Sequence, residues 1–161
     1  MNLEEIAKKV QALEDLEAVK QVTYKYVNCL MFADWDHIME CFADDAVLDV
    51  FVERPKIQGK AIIEKTFREV VAKKHIGNEG DILTHPMVAV SGDTAKGEWI
   101  IYFFEGPSEN YRAPGWVKGI YNAEYKKING QWKFSMLKWR PVFPPGMKMP
   151  AGPPPSDKTI G

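Results

Sequence analysis

The dipeptide Asn129-Gly130 lies between two runs of alternating apolar and polar residues, within Trp116 to Arg140. It is the strongest short-range hairpin signal in the chain, because both central residues of a type I′ turn need φ > 0, which Asn and Gly tolerate best. Such a turn pairs Ile128 with Gln131, Tyr125 with Phe134, Ala123 with Met136 and Tyr121 with Lys138. That register puts Gly119, Tyr121, Ala123, Tyr125, Trp132, Phe134 and Met136 on one face, and Asn122, Glu124, Lys126, Gln131, Lys133 and Ser135 on the other. One face is apolar and aromatic, the other wet. A hairpin this long and amphipathic needs a second layer.

Helices earlier in the chain are the candidates for it. Leu13, Leu16, Val19, Val22, Tyr26, Cys29 or Leu30, and Ala33 recur at helical spacing, which predicts a helix over 3–33 with one apolar stripe. Its opening turns (Glu4, Glu5, Lys8, Lys9) are charged on most sides and are expected to project or pack loosely. Asp34 is a good N-cap for a short helix through Phe42. A strand over Ala46 to Glu53 follows and ends at Pro55. Gly59 precedes a second amphipathic helix, Lys60 to Lys74, with Ile62, Ile63, Phe67, Val70 and Val71 facing inward. Beyond it the chain turns to β structure: Asp81 to Val90, a Gly92-Asp93 turn, then Thr94 to Glu105. Gly106 to Gly115 carries two prolines and two glycines and reads as a wide connection. Seven prolines in Pro141 to Gly161 exclude a helix or a central strand there, leaving a disordered end or an extended arm.

The 161 residues suit one domain, 1–140, followed by a proline-rich C-terminal arm, 141–161. Helices first, then a mostly antiparallel sheet, make an α+β fold, and a curved sheet closed over by a long helix makes a cone with an apolar interior. Such a cone is a natural small-molecule site. A net charge of −1 gives no basic stripe, so nucleic acid is not an expected partner. No run approaches a membrane span and no signal-peptide pattern opens the chain. Cys29 and Cys41 have no metal-ligand spacing and read as buried free thiols of a reducing compartment, which makes the cytoplasm the expected setting. There is no phosphate-cradling glycine loop, no nucleophile elbow and no Cys/His cluster for a metal.

Three motifs carry a family resemblance. They are Tyr26 with Asp34-Trp35-Asp36 and Phe42-Ala43-Asp44-Asp45-Ala46, the stretch Tyr125 to Phe134, and, more weakly, Gly92-Asp93-Thr94-Ala95. Together, over about residues 10–140, the chain resembles the SnoaL-like and scytalone dehydratase-like branch of the nuclear transport factor 2-like (NTF2-like, cystatin-like) superfamily. The resemblance implies a cone-shaped α+β barrel, commonly dimeric through its outer sheet, so a homodimer or higher homo-oligomer is expected. It implies no cofactor and no metal, and removal of a proton by a His–Asp dyad with protonation of a leaving hydroxyl by a Tyr. Carried over by position, the family Tyr falls on Tyr26 and the family Asp on Met31. The family His falls near Gly80 or Asp81, with His85 the nearest imidazole. A second His falls on Glu105, and a hydroxyl–amide pair falls on Gly119 and Tyr121. The usual dyad is absent or rebuilt.

Several residues therefore have two readings each. Tyr26 is either a core tyrosine with a satisfied hydroxyl or a donor to a substrate oxygen. His85 shares a strand face with Asp81 and Leu83 under strict alternation, where His85 or Asp81 could serve as base, or His85 is a strand-edge imidazole facing solvent. Glu105 continues the parity of Trp99, Ile101 and Phe103 at the mouth of the cone, as an acid or base, or it is a strand-end charge reaching water. Tyr121 shapes the pocket, and Lys138 opposite it neutralises an anionic substrate, pairs with Glu105 or snorkels to the rim. Met31, Trp35, Val50, Trp99, Phe103 and Trp116 would line the pocket, though each alone also fits plain packing. His37 and His75 read as surface residues. The expected function is a cofactor-independent lyase, dehydratase-like, or isomerase acting on a small hydrophobic oxygenated cyclic or aromatic compound. The alternative is a non-catalytic small-molecule-binding protein that has lost the dyad.

Overall fold

The computed structural model describes residues 2–51, 54–73, 75–77, 80–105 and 115–142, with Glu105 described through its backbone alone. The first helix, α1, is Leu3–Met31. Asn2 caps it reciprocally: its side chain accepts from the Glu5 N–H at 2.9 Å, and the Glu5 carboxylate accepts from the Asn2 N–H at 3.1 Å. Its first turns are exposed, Leu13 among them, and burial begins at Val19 and continues through Thr23, Tyr26, Val27, Cys29 and Leu30. Asp34 then caps the short α2, Trp35–Ile38, and accepts from the His37 N–H at 3.2 Å. A single 3-10 turn, Met39–Cys41, leads into the sheet.

The strands are β1 (Phe42–Asp49), β2 (Ile57–Gln58), β3 (Gly80–Ser91), β4 (Thr94–Glu105), β5 (Gly115–Ile128) and β6 (Gln131–Pro141), with α3 at Lys60–Glu69. Their order across the sheet is β2-β1-β6-β5-β4-β3. Among the described strands only β1 and β6 run parallel; the other neighbours are antiparallel. The edges β2 and β3 do not pair, so the expected barrel is an open mixed sheet with helices packed on it. β1 starts at Phe42 rather than at Ala46, because Phe42 pairs with Phe134 of β6, a contact no local pattern announces. α3 stops at Glu69 instead of Lys74 and tightens into a 3-10 turn at Val71–Lys73. It buries Ile63 and Phe67, while Ile62 and Val70 are exposed. Among the described residues no helix is long and apolar enough to cross a membrane.

The hairpin turn is as expected, with φ of 49° at Asn129 and 78° at Gly130. The register Ile128–Gln131 and Tyr125–Phe134 also holds. Beyond it a β-bulge at Ser135 shifts the pairing, so that Glu124 meets Met136, Ala123 meets Leu137 and Tyr121 meets Trp139. One extra residue reverses the parity of all that follows. Leu137 and Trp139 turn inward; Met136 and Lys138 turn outward, and Lys138 pairs with Asn122 instead of Tyr121.

At its closed end the concave face is a dry aromatic core. Tyr125 and Phe134 stack at 5.0 Å, and the Trp99 indole N–H donates to the Tyr125 hydroxyl at 3.0 Å. That hydroxyl also shares a 2.6 Å hydrogen bond with Thr23. Burial pushes its pKa up to about 12. Tyr125→Phe strands two donors or acceptors in a dry site, and we expect a loss of about 2 kcal/mol in urea unfolding. Gly97 is needed here for space: a Cβ would come within 2.9 Å of Trp99 Nε1 and 3.2 Å of the Tyr125 ring.

The Asp15 carboxylate joins α1 to the hairpin. It accepts from Lys127 at 2.7 Å and from the Trp132 indole N–H at 2.9 Å. These bonds hold its carboxyl below the ordinary value of 3.8. A carboxyl depressed on folding contributes stability that is present above its unfolded value and lost as pH falls through its folded one. Asp15→Ala is therefore expected to cost about 1 kcal/mol at neutral pH. The gap to wild type should narrow once the pH drops below the unfolded value of 3.8.

On the outer face Ile82, Met87 and Trp116 are exposed. A shallow groove of about 380 Å³ crosses this face between Met87, Lys96, Glu98, Asn122 and Met136.

Candidate functional site

Tyr26 projects from the buried stripe of α1 onto the concave face of the sheet. Four rings meet it edge-on: Phe134 at 5.5 Å, Phe42 at 5.7 Å, Tyr121 at 5.9 Å and Phe67 at 6.3 Å. Edge-to-face packing on every side fixes the ring and aims the hydroxyl. That hydroxyl is close enough to the Tyr121 hydroxyl to shift its pKa. Both phenols are raised above the ordinary value of 10, first by burial and also by the nearby Asp81 carboxylate. They stay protonated at any physiological pH.

Asp81 lies on the inward face of β3, opposite Phe103 of β4, and both of its carboxylate oxygens are buried. Phe103 is the hub of the site. Its ring meets Trp139 at 5.8 Å, His75 at 6.1 Å and Tyr121 at 6.3 Å, each edge-on. The segment carrying His75 is set against the end of α1, where a Cβ on Gly77 would lie 3.5 Å from the Phe32 carbonyl oxygen. Trp139 is held by its neighbour: Arg140 donates to both Asp49 carboxylate oxygens at 2.8 Å and to the Asp49 carbonyl at 2.9 Å. Phe103, Leu83, Asp81, Trp139 and His75 are half-buried although they face inward. Trp99 and Phe134, by contrast, are fully closed. The concave face thus opens toward the Asp81 end.

Of the expected site residues, Tyr26 and Tyr121 come together, with Asp81 close enough to act on both electrostatically. His85 does not join them. A β-bulge between Thr84 and Met87, with φ of 53° at His85, takes its exposed side chain out of the alternation that Asp81 and Leu83 obey. It meets the Thr84 hydroxyl instead. Lys138 is on the outer side, for the reason given above. Trp116, expected as lining, is exposed on the outer face and packs on Phe104 at 5.0 Å. Trp99 is enclosed at the closed end, edge-on to Tyr24 at 5.4 Å. Phe103 lines the site, and Trp35 packs beside it on Phe67 at 6.0 Å. Met31 ends α1 half-buried, and Val50, just past β1, packs against the core. The Glu105 backbone pairs with Gly115 at the end of β4; its side chain lies outside the described residues, as does the expected proline-rich arm beyond residue 142. His37 is exposed, bonded to Asp34 at 2.8 Å.

Sequence reasoning missed two residues. His75 reads as surface because it follows an amphipathic helix, yet its ring abuts Phe103 and its Nδ1 is buried. Trp139 enters only through the bulge. Among the described residues no group of three His, Cys, Asp or Glu side chains is arranged to hold a metal ion.

A long N-terminal helix packed on the apolar, aromatic side of an open mixed sheet defines an NTF2-like domain with a cystatin-like fold. The profile of the SnoaL-like domain family matches residues 11–138, and the chain belongs to that family. Among solved structures, an NTF2-like protein with a cystatin-like fold from Novosphingobium aromaticivorans aligns with a TM-score of 0.75 at 18% identity, covering 86% of this chain and 88% of that one. A candidate scytalone dehydratase of the same bacterium aligns at 0.73 and 19% identity, covering 88% and 93%. A ketosteroid isomerase-like protein from Erwinia carotovora aligns at 0.68 and 17% identity, covering 81% and 98%. At these identities the likeness is one of fold.

Proposed function

We propose that this protein is a cofactor-independent lyase of the dehydratase type, or an isomerase, acting on a small hydrophobic oxygenated cyclic or aromatic compound. The observation that carries the reading is that the buried Asp81 carboxylate acts electrostatically on both the Tyr26 and the Tyr121 hydroxyl. A carboxylate and a fixed phenol facing one apolar concave surface are the base and the donor that acid/base elimination requires. Asp81 takes a proton from a ring carbon, and the electron pair forms the new double bond. In elimination the carbon–oxygen bond breaks and the leaving hydroxide takes a proton from the Tyr26–Tyr121 pair, departing as water; the proton held on Asp81 then restores that pair. In isomerisation the same phenols stabilise a dienolate oxygen while Asp81 returns the proton to another carbon. Both phenols are protonated and so can donate to an oxygen on which charge develops. The candidate dehydratase and the isomerase-like protein among the structural neighbours are consistent with this chemistry.

The second reading is a binding protein without turnover, favoured by Met31 at the position where the family carries its Asp. The test is incubation with hydroxylated aromatic and polycyclic compounds, followed by mass spectrometry, with Asp81→Asn and Tyr26→Phe in parallel. New products lacking the mass of water, or isomers of unchanged mass, suppressed in either variant, are expected. Stoichiometric retention of compounds with no product would select the binding protein.

A further inference from the structure

Three indoles project onto the concave face or its rim, and two of them are satisfied. Trp99 donates to Tyr125 at 3.0 Å and Trp132 to Asp15 at 2.9 Å. The third, Trp139, has its Nε1 buried with no hydrogen-bond acceptor among the described residues. An indole N–H removed from water normally finds an acceptor, because stranding it costs stability with nothing in return. Yet the strand is pinned at that point by the Arg140–Asp49 pair. The indole also sits in a space cleared for it. A Cβ on Gly119 would lie 2.0 Å from Trp139 Nε1 and 2.7 Å from its Cε2, so no larger residue at 119 is compatible with this placement. Trp139 pairs with Tyr121 across β5 and β6, and its ring meets Phe103, the residue opposite Asp81. The stranded donor therefore stands among the acid/base groups.

We propose that Trp139 Nε1–H is a substrate-binding donor that holds an acceptor oxygen of a flat cyclic ligand, a ring ketone above all, against the wall formed by Phe103. The inference rests on the reading that the concave face receives a small oxygenated cyclic compound, and it narrows that class. A ligand oxygen that only accepts satisfies the indole. A hydrocarbon of the same shape leaves the donor stranded and gains nothing from it.

Trp139→Phe retains an aromatic ring against Phe103 and removes only the donor. The bicyclic ketone 1-tetralone and the matching hydrocarbon tetralin are titrated into both proteins by calorimetry. The variant is expected to bind the ketone about 10-fold more weakly and tetralin as wild type does. In ¹⁵N-labelled protein the indole resonance lost in Trp139→Phe should move with the ketone and stay with tetralin. Gly119→Ala, which keeps the tryptophan but displaces it, should lose the same preference for the ketone. Equal weakening toward both compounds would make Trp139 a mere wall, and unchanged ketone binding would remove it from the site; either result overturns this inference while the acid/base reading stands. If wild type takes up neither compound and the compound library yields neither product nor retained ligand, both fall together.

Discussion

Asp81→Asn is expected to lower turnover by a factor of about 10² to 10⁴, the range a positioned general base contributes, while ligand binding stays close to wild type. The substitution keeps the volume and planarity of the side chain and removes its basicity. Asp81 stands on a regular stretch of β3, paired with Phe103, so the backbone has no reason to move. Its effect should therefore fall on kcat, with KM little changed. Tyr26→Phe should cost less, because Tyr121 leaves one hydroxyl in place at the same point of the site. Equal activity in wild type and Asp81→Asn would remove Asp81 from the chemistry. His75, whose ring faces the same Phe103, would then be the first group to replace.

The largest stability effect is expected at Phe134. Its side chain is fully buried and contacts Tyr125 at 5.0 Å, Phe42 at 5.4 Å and Tyr26 at 5.5 Å. It joins the central strands of the sheet to α1. Phe134→Ala should cost about 3–5 kcal/mol, combining lost transfer energy with a cavity that three rigid rings cannot collapse to fill. The check is urea unfolding followed by circular dichroism, where the midpoint drops and the slope is unchanged. A loss below about 1 kcal/mol would mean that the closed end repacks, contrary to the dense ring geometry seen there.

The two substitutions separate the ends of the concave face. Asp81→Asn should alter chemistry first, and Phe134→Ala stability before chemistry. That division follows from burial: rings at the closed end contact other rings on all sides, whereas residues around Asp81 are only half-buried.

Much of this was legible in the chain itself. The Asn129-Gly130 turn, the long first helix and the inward positions of Tyr26, Tyr121 and Phe103 all follow from short-range rules, since φ preferences and side-chain periodicity act over a few residues. The family resemblance, confirmed over residues 11–138, followed from the same segments. Three features lay beyond those rules. The bulge at Ser135 exchanged Lys138 for Trp139 on the inner face, and the bulge after Thr84 turned His85 outward. His75 was brought to Phe103 by a segment with no periodicity of its own. A bulge is a settlement between two strands over twist and pairing, and its position depends on both partners and on what covers them. The amino-acid sequence alone therefore determined which residues could face inward. The paired strands decided which of them do, because one inserted residue reverses every side chain beyond it.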